Sequence, residues 1–181
     1  AVNAPALANK KTAMISIGWD PGMFSINRLF GEALLPDGET YTFCFNCLSQ
    51  GHSDAIRRVE GVKAGVQYTL PSTEAIEKVR SGSRPELSTK DKHTRECYVV
   101  LAEGADANAV EQAIVTMPDY FADYNTTVNF IDEETLAKEH NRMPHGGFVI
   151  RSGNSSAEHN QVVEFSLKLD SNPEFTASVL G

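Results

Sequence analysis

Four short segments combine glycine or proline turns with polar side chains: Gly18-Trp19-Asp20-Pro21-Gly22, Leu48 to Asp54 (LSQGHSD), Met143 to Gly147 (MPHGG) and Leu169 to Pro173 (LDSNP). Each stands at the end of a strand pattern or the start of a helix pattern, where pockets tend to form. Trp19-Asp20 sets an apolar wall beside a carboxylate, a pairing suited to an ammonium group. Asp20 is equally placed to cap a helix beginning at Pro21. The segment Gln50 to Asp54 can bring backbone N–H groups and the Ser53 hydroxyl to a helix N-terminus, a natural seat for a carboxylate. The alternative is that Ser53 simply caps that helix. Arg95, just before an apolar strand, can clamp a carboxylate with two parallel hydrogen bonds or form a surface ion pair. His145 lies between Pro144 and two glycines that let backbone approach a ligand closely. Thr69, near a strand end, is by default an ordinary strand threonine. Cys44-x-x-Cys47 with His52 nearby suggests a zinc or thiol site, but no fourth zinc ligand stands at a standard spacing. A redox dithiol also wants its first cysteine at a helix start, whereas Cys44 sits in a strand pattern.

The elements that must hold these groups follow from hydrophobic period. Thr12 to Ile17 reads as a buried strand. Pro21 to Leu35 has helical spacing, with Met23, Ile26, Phe30, Ala33 and Leu34 on one stripe. Tyr41, Phe43 and Phe45 alternate as in a strand, and so do Val66, Tyr68 and Leu70. Helices are expected over Ser53 to Glu60, over Ser72 to Arg80 ended by Gly82, after Asp106, and over Glu133 to His140. Ser83 to Asp91 reads as a polar loop and Ser152 to Asn160 as a mobile one. Strands are expected at Glu96 to Leu101, Thr126 to Ile131, Phe148 to Arg151 and Gln161 to Leu169. In the last of these, Val163, Phe165, Leu167 and Leu169 face one way and Glu164, Ser166 and Lys168 the other. Asn172 can cap a final helix that begins Pro173-Glu174 and stops after about two turns. About seven strands and four or five helices predict an α+β fold: a mixed, largely antiparallel sheet with helices packed mainly on one face.

Composition narrows the function classes. The 181 residues are 41% hydrophobic and carry a formal net charge of -8. That suits a globular domain and argues against nucleic-acid binding, which wants clustered Lys and Arg. No run approaches the roughly 18 apolar residues of a membrane span, and Ala1 to Lys11 does not read as a secretory signal. Three cysteines make a secreted disulfide framework an unexpected reading, and a reducing cytoplasm fits better. There is no G-x-G-x-x-G, P-loop, H-E-x-x-H or G-x-S-x-G. Gly61-Val62-Lys63-Ala64-Gly65 does not meet the dinucleotide spacing.

The motifs together resemble the meso-diaminopimelate dehydrogenase family. The likeness runs along nearly the whole chain and is most specific at GWDPGMFSINR (from Gly18), LSQGHSDAIRR (from Leu48), VQYTLP (from Val66), MPHGGFVIRSG (from Met143) and EFSLKLDSNPEFTAS (from Glu164). The resemblance implies that residues 1–181 are a substrate-binding and dimerisation domain, with 1–11 the tail of a preceding domain that binds NADP. It implies a cytoplasmic homodimer serving lysine biosynthesis. The activity is oxidation of the D-centre of meso-2,6-diaminopimelate to L-2-amino-6-oxopimelate and ammonia, not expected from this chain alone. It implies that Trp19 and Asp20 line the reacting D-centre, with Asp20 near its amino group. Phe43 forms part of the pocket wall, and Gln50, Gly51 and Asp54 help hold the nearer carboxylate. Thr69, Arg95 and His145 grip the distal carboxylate, and Asn172 fixes the L-centre. One departure stands out. Between Phe43 and Leu48 the family usually has Trp-Gly-x-Gly, and this chain has Cys44-Phe45-Asn46-Cys47. That change motivates a second reading, a non-catalytic binding or assembly scaffold.

Overall fold

The computed structural model describes residues 2–45, 47–142 and 144–180. Asn46 of the Cys-x-x-Cys segment and Met143 of MPHGG lie outside the described residues. The elements run α1 (Asn3–Ala8), α2 (Met23–Leu34), β1 (Asp37–Cys44), β2 (Cys47–Leu48), α3 (Gln50–Arg57), β3 (Val62–Pro71), α4 (Thr73–Arg80), α5 (Thr89–Lys92), β4 (His93–Leu101), α6 (Ala107–Val115), β5 (Asn125–Phe130), α7 (Glu133–Glu139), β6 (His145–Asn154), β7 (Asn160–Leu169) and α8 (Asn172–Leu180). This is an α+β fold of largely antiparallel strands, as the patterning predicts. The strands divide into two sheets, β1-β6-β7 and β2-β3-β4-β5, and β4 with β5 is the parallel pair.

The period-2 pattern of each strand decides which side chains meet which helix. In the first sheet Tyr41, Phe43 and Ile150 point at Ala75, Ile76 and Val79 of α4 and form one core. The alternate residues of that sheet face α2. There Gly31 lets the helix approach so closely that an added Cβ would lie 3.2 Å from the Cβ of Arg151. The alternation read in β7 belongs to this arrangement. Phe165 meets Phe30 of α2 with ring centroids 6.2 Å apart, while Glu164 on the other face accepts from Arg80 of α4. Helices therefore cover both faces of the first sheet. A second core forms where Ile56 of α3 and Val110 and Ile114 of α6 pack with Cys97, Val99 and Phe121 against the second sheet.

Two expectations give way. The strand expected over Thr12 to Ile17 does not form, and Met14 and Ile15 are 64% and 71% exposed. An apolar run supplies strand propensity, but a strand also needs a neighbouring edge to pair with, and none of the described strands lies beside it. The polar loop before β4 contains the short helix α5, nucleated by Ser88, whose N–H donates to Asp91 at 2.8 Å.

The sheets meet at the segment linking β1 to β2. The Phe45 N–H donates to the Gly146 carbonyl at 2.9 Å, and the Leu48 N–H to the Pro144 carbonyl at 3.4 Å. The polar segments singled out above converge on this seam.

Candidate functional site

One end of the site is built on a glycine turn. The Met23 N–H donates to the Gly18 carbonyl at 2.9 Å and the Phe24 N–H to the Trp19 carbonyl at 2.7 Å, folding Gly18 to Gly22 into a loop ahead of α2. Gly22 has φ +142°, and a Cβ there would sit 1.8 Å from the Gly18 carbonyl oxygen, so only glycine closes this turn. The turn presents Trp19 and Asp20. The Trp19 ring stands edge-on to Phe24 and to His145, with centroids 5.2 and 6.0 Å away. Its Nε1–H donates to Asn172 Oδ1 at 2.7 Å. Asp20 does not cap α2. Its carboxylate accepts from Arg28 Nη2 at 2.8 Å, and Arg28 also donates to Thr42 Oγ1 at 3.2 Å. Asn172 likewise does not cap α8. Ser171 does, accepting from the Glu174 N–H at 3.4 Å, which leaves the Asn172 amide for the indole.

The other end is built on facing strands. Cys47 pairs with Thr69, and Thr69 with Arg95, so β2, β3 and β4 set these side chains in a row. Arg95 is only 6% exposed. Its Nη1 donates to Thr69 Oγ1, which also accepts from Gln67 Nε2 at 3.2 Å. Its Nη2 lies 3.4 Å from His52 Nε2, and the guanidinium lies over the Tyr124 ring, 3.9 Å from the centroid. Arg95 Nε has no hydrogen-bond partner, and Arg95 enters none of the ion pairs among the described residues. Burial lowers its pKa, partly offset by Tyr124. A buried guanidinium without a carboxylate is costly, and a carboxylate ligand would relieve it.

The first turn of α3 adjoins Arg95 through His52. Ser49, not Ser53, is its cap: Ser49 Oγ accepts from the His52 N–H at 3.4 Å. Ser53 is buried inside the helix, where it accepts from the Gln67 N–H at 3.1 Å. The helix thus starts at Gln50, and the backbone of Gln50 and Gly51 forms its positive end. A Cβ on Gly51 would meet nothing within 4 Å.

Trp19, Asn172 and His145 are therefore in one cluster, Thr69 and Arg95 in a second, and Gln50 and Gly51 on the first turn of α3, whose His52 reaches Arg95. Two expected members stand apart. Phe43 is fully buried in the core against α4. Its place in the strand alternation aims it at the helix and not at Trp19. Asp54 pairs with Arg57 and Arg58 on its own helix, one turn further along, so its charge is spent locally. Four residues beside these clusters have no local signal for their contacts. The spacing of His52 suggests only a zinc ligand, Ser49 competes with Ser53 for the cap, and Arg28 and Tyr124 stand in no motif that points to Asp20 or Arg95.

The zinc reading finds no support. Among the described residues no cluster of three or more His, Cys, Asp or Glu is placed to hold a metal ion. Cys44 and Cys47 are joined as a disulfide, and His52 turns to Ser49 and Arg95. The bridge closes a turn between residues three apart and is no framework between distant elements.

The model of the diaminopimelic acid dehydrogenase C-terminal domain family matches residues 18–171. The chain belongs to that family. It is 64% identical over 180 residues to a meso-diaminopimelate D-dehydrogenase of Lysinibacillus sphaericus, covering 99% of this chain and 55% of that protein. Among solved structures it resembles a six-substitution variant of meso-diaminopimelate dehydrogenase from Clostridium tetani E88 with DAP. The TM-score is 0.86 and the identity 58%, over 90% of this chain and 50% of that one. It also resembles an engineered D-amino acid dehydrogenase bound to NADP+, with TM-score 0.81 and 51% identity over the same shares. The chain spans about half the length of the proteins it matches.

Proposed function

We propose that this chain is the substrate-binding half of an NADP-dependent meso-diaminopimelate D-dehydrogenase, and that its site grips a two-headed amino acid at both ends. The observation that carries this is Arg95, buried, stacked on Tyr124 and without an acidic partner among the described residues. The similar Clostridium tetani variant adds support. Its replaced residues are a Gln, a Thr, an Arg, a Pro, a His and an Asn. The same types recur here in the same order and at the same intervals as Gln50, Thr69, Arg95, Pro144, His145 and Asn172.

In this reading Arg95 and Thr69 hold the distal carboxylate with His145, Asn172 fixes the L-centre, and the first turn of α3 at Gln50 and Gly51 holds the carboxylate of the D-centre. Asp20, kept in place by Arg28, accepts the ammonium of the D-centre beside the Trp19 wall. Gripping both ends fixes one conformer of a flexible chain and aims the reacting C–H in one direction. With one proton lost from that ammonium, transfer of the C–H hydride to the nicotinamide would leave an iminium, and addition of water would release ammonium and give L-2-amino-6-oxopimelate.

The hydride acceptor is not assigned to the described residues. Their parallel crossover, β4–α6–β5, turns at Ala102 to Asp106, where Gly104 is the only glycine and Glu103 and Asp106 bring carboxylates. Pyrophosphate needs glycines and N–H groups there, so this turn does not fit NADP. The same reading makes the protein a cytoplasmic homodimer. The exposed apolar side chains Ile26, Leu29, Phe30 and Leu34 of α2 support such a contact. No described helix is long and apolar enough to cross a membrane.

Calorimetry with meso-diaminopimelate tests the proposal. The wild type binds, and Arg95→Met weakens binding at least ~30-fold, the effect of leaving a buried carboxylate without its cation. Absence of binding to the wild type, or equal binding by the variant, overturns it.

A further inference from the structure

His52 belongs to none of the roles above, yet it touches both Arg95 and the cap of α3. Its Nε2 faces Arg95 Nη2 at 3.4 Å and its Nδ1 faces Ser49 Oγ at 2.7 Å. The ring stands edge-on to Tyr120 and Phe121, with centroids 5.3 and 5.8 Å away, which confines its orientation. A guanidinium has donors only, so Nε2 must carry the lone pair. The ring proton then sits on Nδ1 and is donated to Ser49. Ser49 in turn caps α3, whose first turn carries Gln50 and Gly51.

We propose that His52 is a positioning residue, a neutral imidazole that orients Arg95 and ties it through Ser49 to the N-terminus of α3. This rests on the reading that Arg95 receives the distal carboxylate. The relay fixes the plane of the guanidinium: Thr69 takes one terminal nitrogen, His52 the other, and Tyr124 supports the face. It also fixes the separation between the two carboxylate seats, because Arg95 and the first turn of α3 are bridged by a single side chain. His52 thereby contributes to choosing ligands with two carboxylates over ligands with one. Burial, reinforced by the neighbouring charge of Arg95, pushes the imidazole pKa down to about 4, in keeping with the neutral form.

The test compares meso-diaminopimelate with D-lysine, which lacks only the distal carboxylate, by calorimetry on the chain and two variants. His52→Phe keeps a ring against Tyr120 and Phe121 but offers no acceptor, and His52→Gln restores one. The affinity ratio of the two ligands is expected to fall at least about tenfold in the Phe variant, the worth of an oriented charged hydrogen bond, and to recover to within about threefold in the Gln variant. In an Arg95→Met background His52→Phe is expected to leave the ratio unchanged, since the two residues act as one unit. A general loss of packing would not depend on Arg95 in this way. An unchanged ratio in His52→Phe overturns the proposal. Nitrogen NMR of the ligand-free protein reads the relay independently. A His52 ring protonated at Nδ1, with resonances that move in Arg95→Met, supports it, and one protonated at Nε2 overturns it. If the wild type binds neither ligand, the proposed function fails, and the ring tautomer still decides whether His52 orients Arg95.

Discussion

The indole N–H of Trp19 donates to Oδ1 of Asn172 across 2.7 Å, joining the glycine turn ahead of α2 to the start of α8. The two residues are 153 positions apart, so the bond closes the first site cluster across the whole length of the domain. It is available only because Ser171 caps α8 and leaves the Asn172 side chain uncommitted. Asn172→Ala strands a half-buried donor, and a loss of about 1 kcal/mol of folding stability is expected. Asn172→Asp keeps an acceptor at the same place and is expected to retain most of it. Urea titration of the three proteins checks this. Equal midpoints for wild type and Asn172→Ala would show that the bond adds nothing.

What the residues disclosed, and what they withheld, follows from the range of each interaction. Helix α2 and strands β3 and β7 are local and form where hydrophobic period places them, but the buried face is not local. Ile26, Phe30 and Leu34 of the α2 stripe are exposed while Phe24 and Gly31 are buried, and β3 buries Gln67 and Thr69 more deeply than Val66, Tyr68 and Leu70. Caps are local too, but competitors stand close together. Ser49 and Ser53 both flank the start of α3, and Ser171 and Asn172 both precede Pro173. Pattern alone does not rank such neighbours. Phe43 shows the next level of difficulty. Its strand was legible, but the face it occupies depends on where α4 packs. Arg95 was singled out for its chemistry. Its burial over Tyr124 depends on Phe121 drawing the segment after α6 into the second core, which no local pattern encodes. The resemblance assigns Trp19 to one end of the ligand and His145 and Asn172 to the other, and only the folded chain brings the three side chains into contact.

Acid should act through two imidazoles. His93 Nε2 accepts the Cys44 N–H at 2.9 Å, and burial, with smaller effects of Lys92 and Arg95, pushes its pKa down to about 4. His52 is lowered to about 4 as well. Both groups titrate near 6.5 in the unfolded chain. Between pH 6.5 and 4 these two imidazoles therefore hold up to about two more protons in the unfolded chain than in the folded one, burial lowers His140 as well, and stability falls as pH falls. The stabilisation from keeping them neutral is complete above pH 6.5 and is lost progressively down to the folded pKa. Melting temperatures measured from pH 7.5 to 4 should decline across that window, and His93→Gln should decline less steeply. Parallel declines in the two proteins would show that His93 titrates normally in the fold.

The three cysteines should divide by accessibility. Cys97 is fully buried, and burial pushes its thiol up to about 12, so it stays protonated and unreactive in the folded protein. Cys44 and Cys47 are bridged and offer no thiol until reduced. The native protein is expected to take up no iodoacetamide, and to take up two equivalents after gentle reduction with dithiothreitol. The third adduct, at Cys97, appears only on denaturation. Mass spectrometry of the intact protein and its peptides reads each stage. The bridge holds the link between β1 and β2, where Cys47 lies opposite Thr69 and the Cys44 N–H reaches His93. Opening a loop of this length releases about 2 kcal/mol of chain constraint in the unfolded state. Reduction should thus lower the melting temperature and loosen the seat of Thr69 and Arg95, seen as weaker meso-diaminopimelate binding. Labelling of Cys97 before the other two, or two adducts without reductant, would refute the assignment of the bridge.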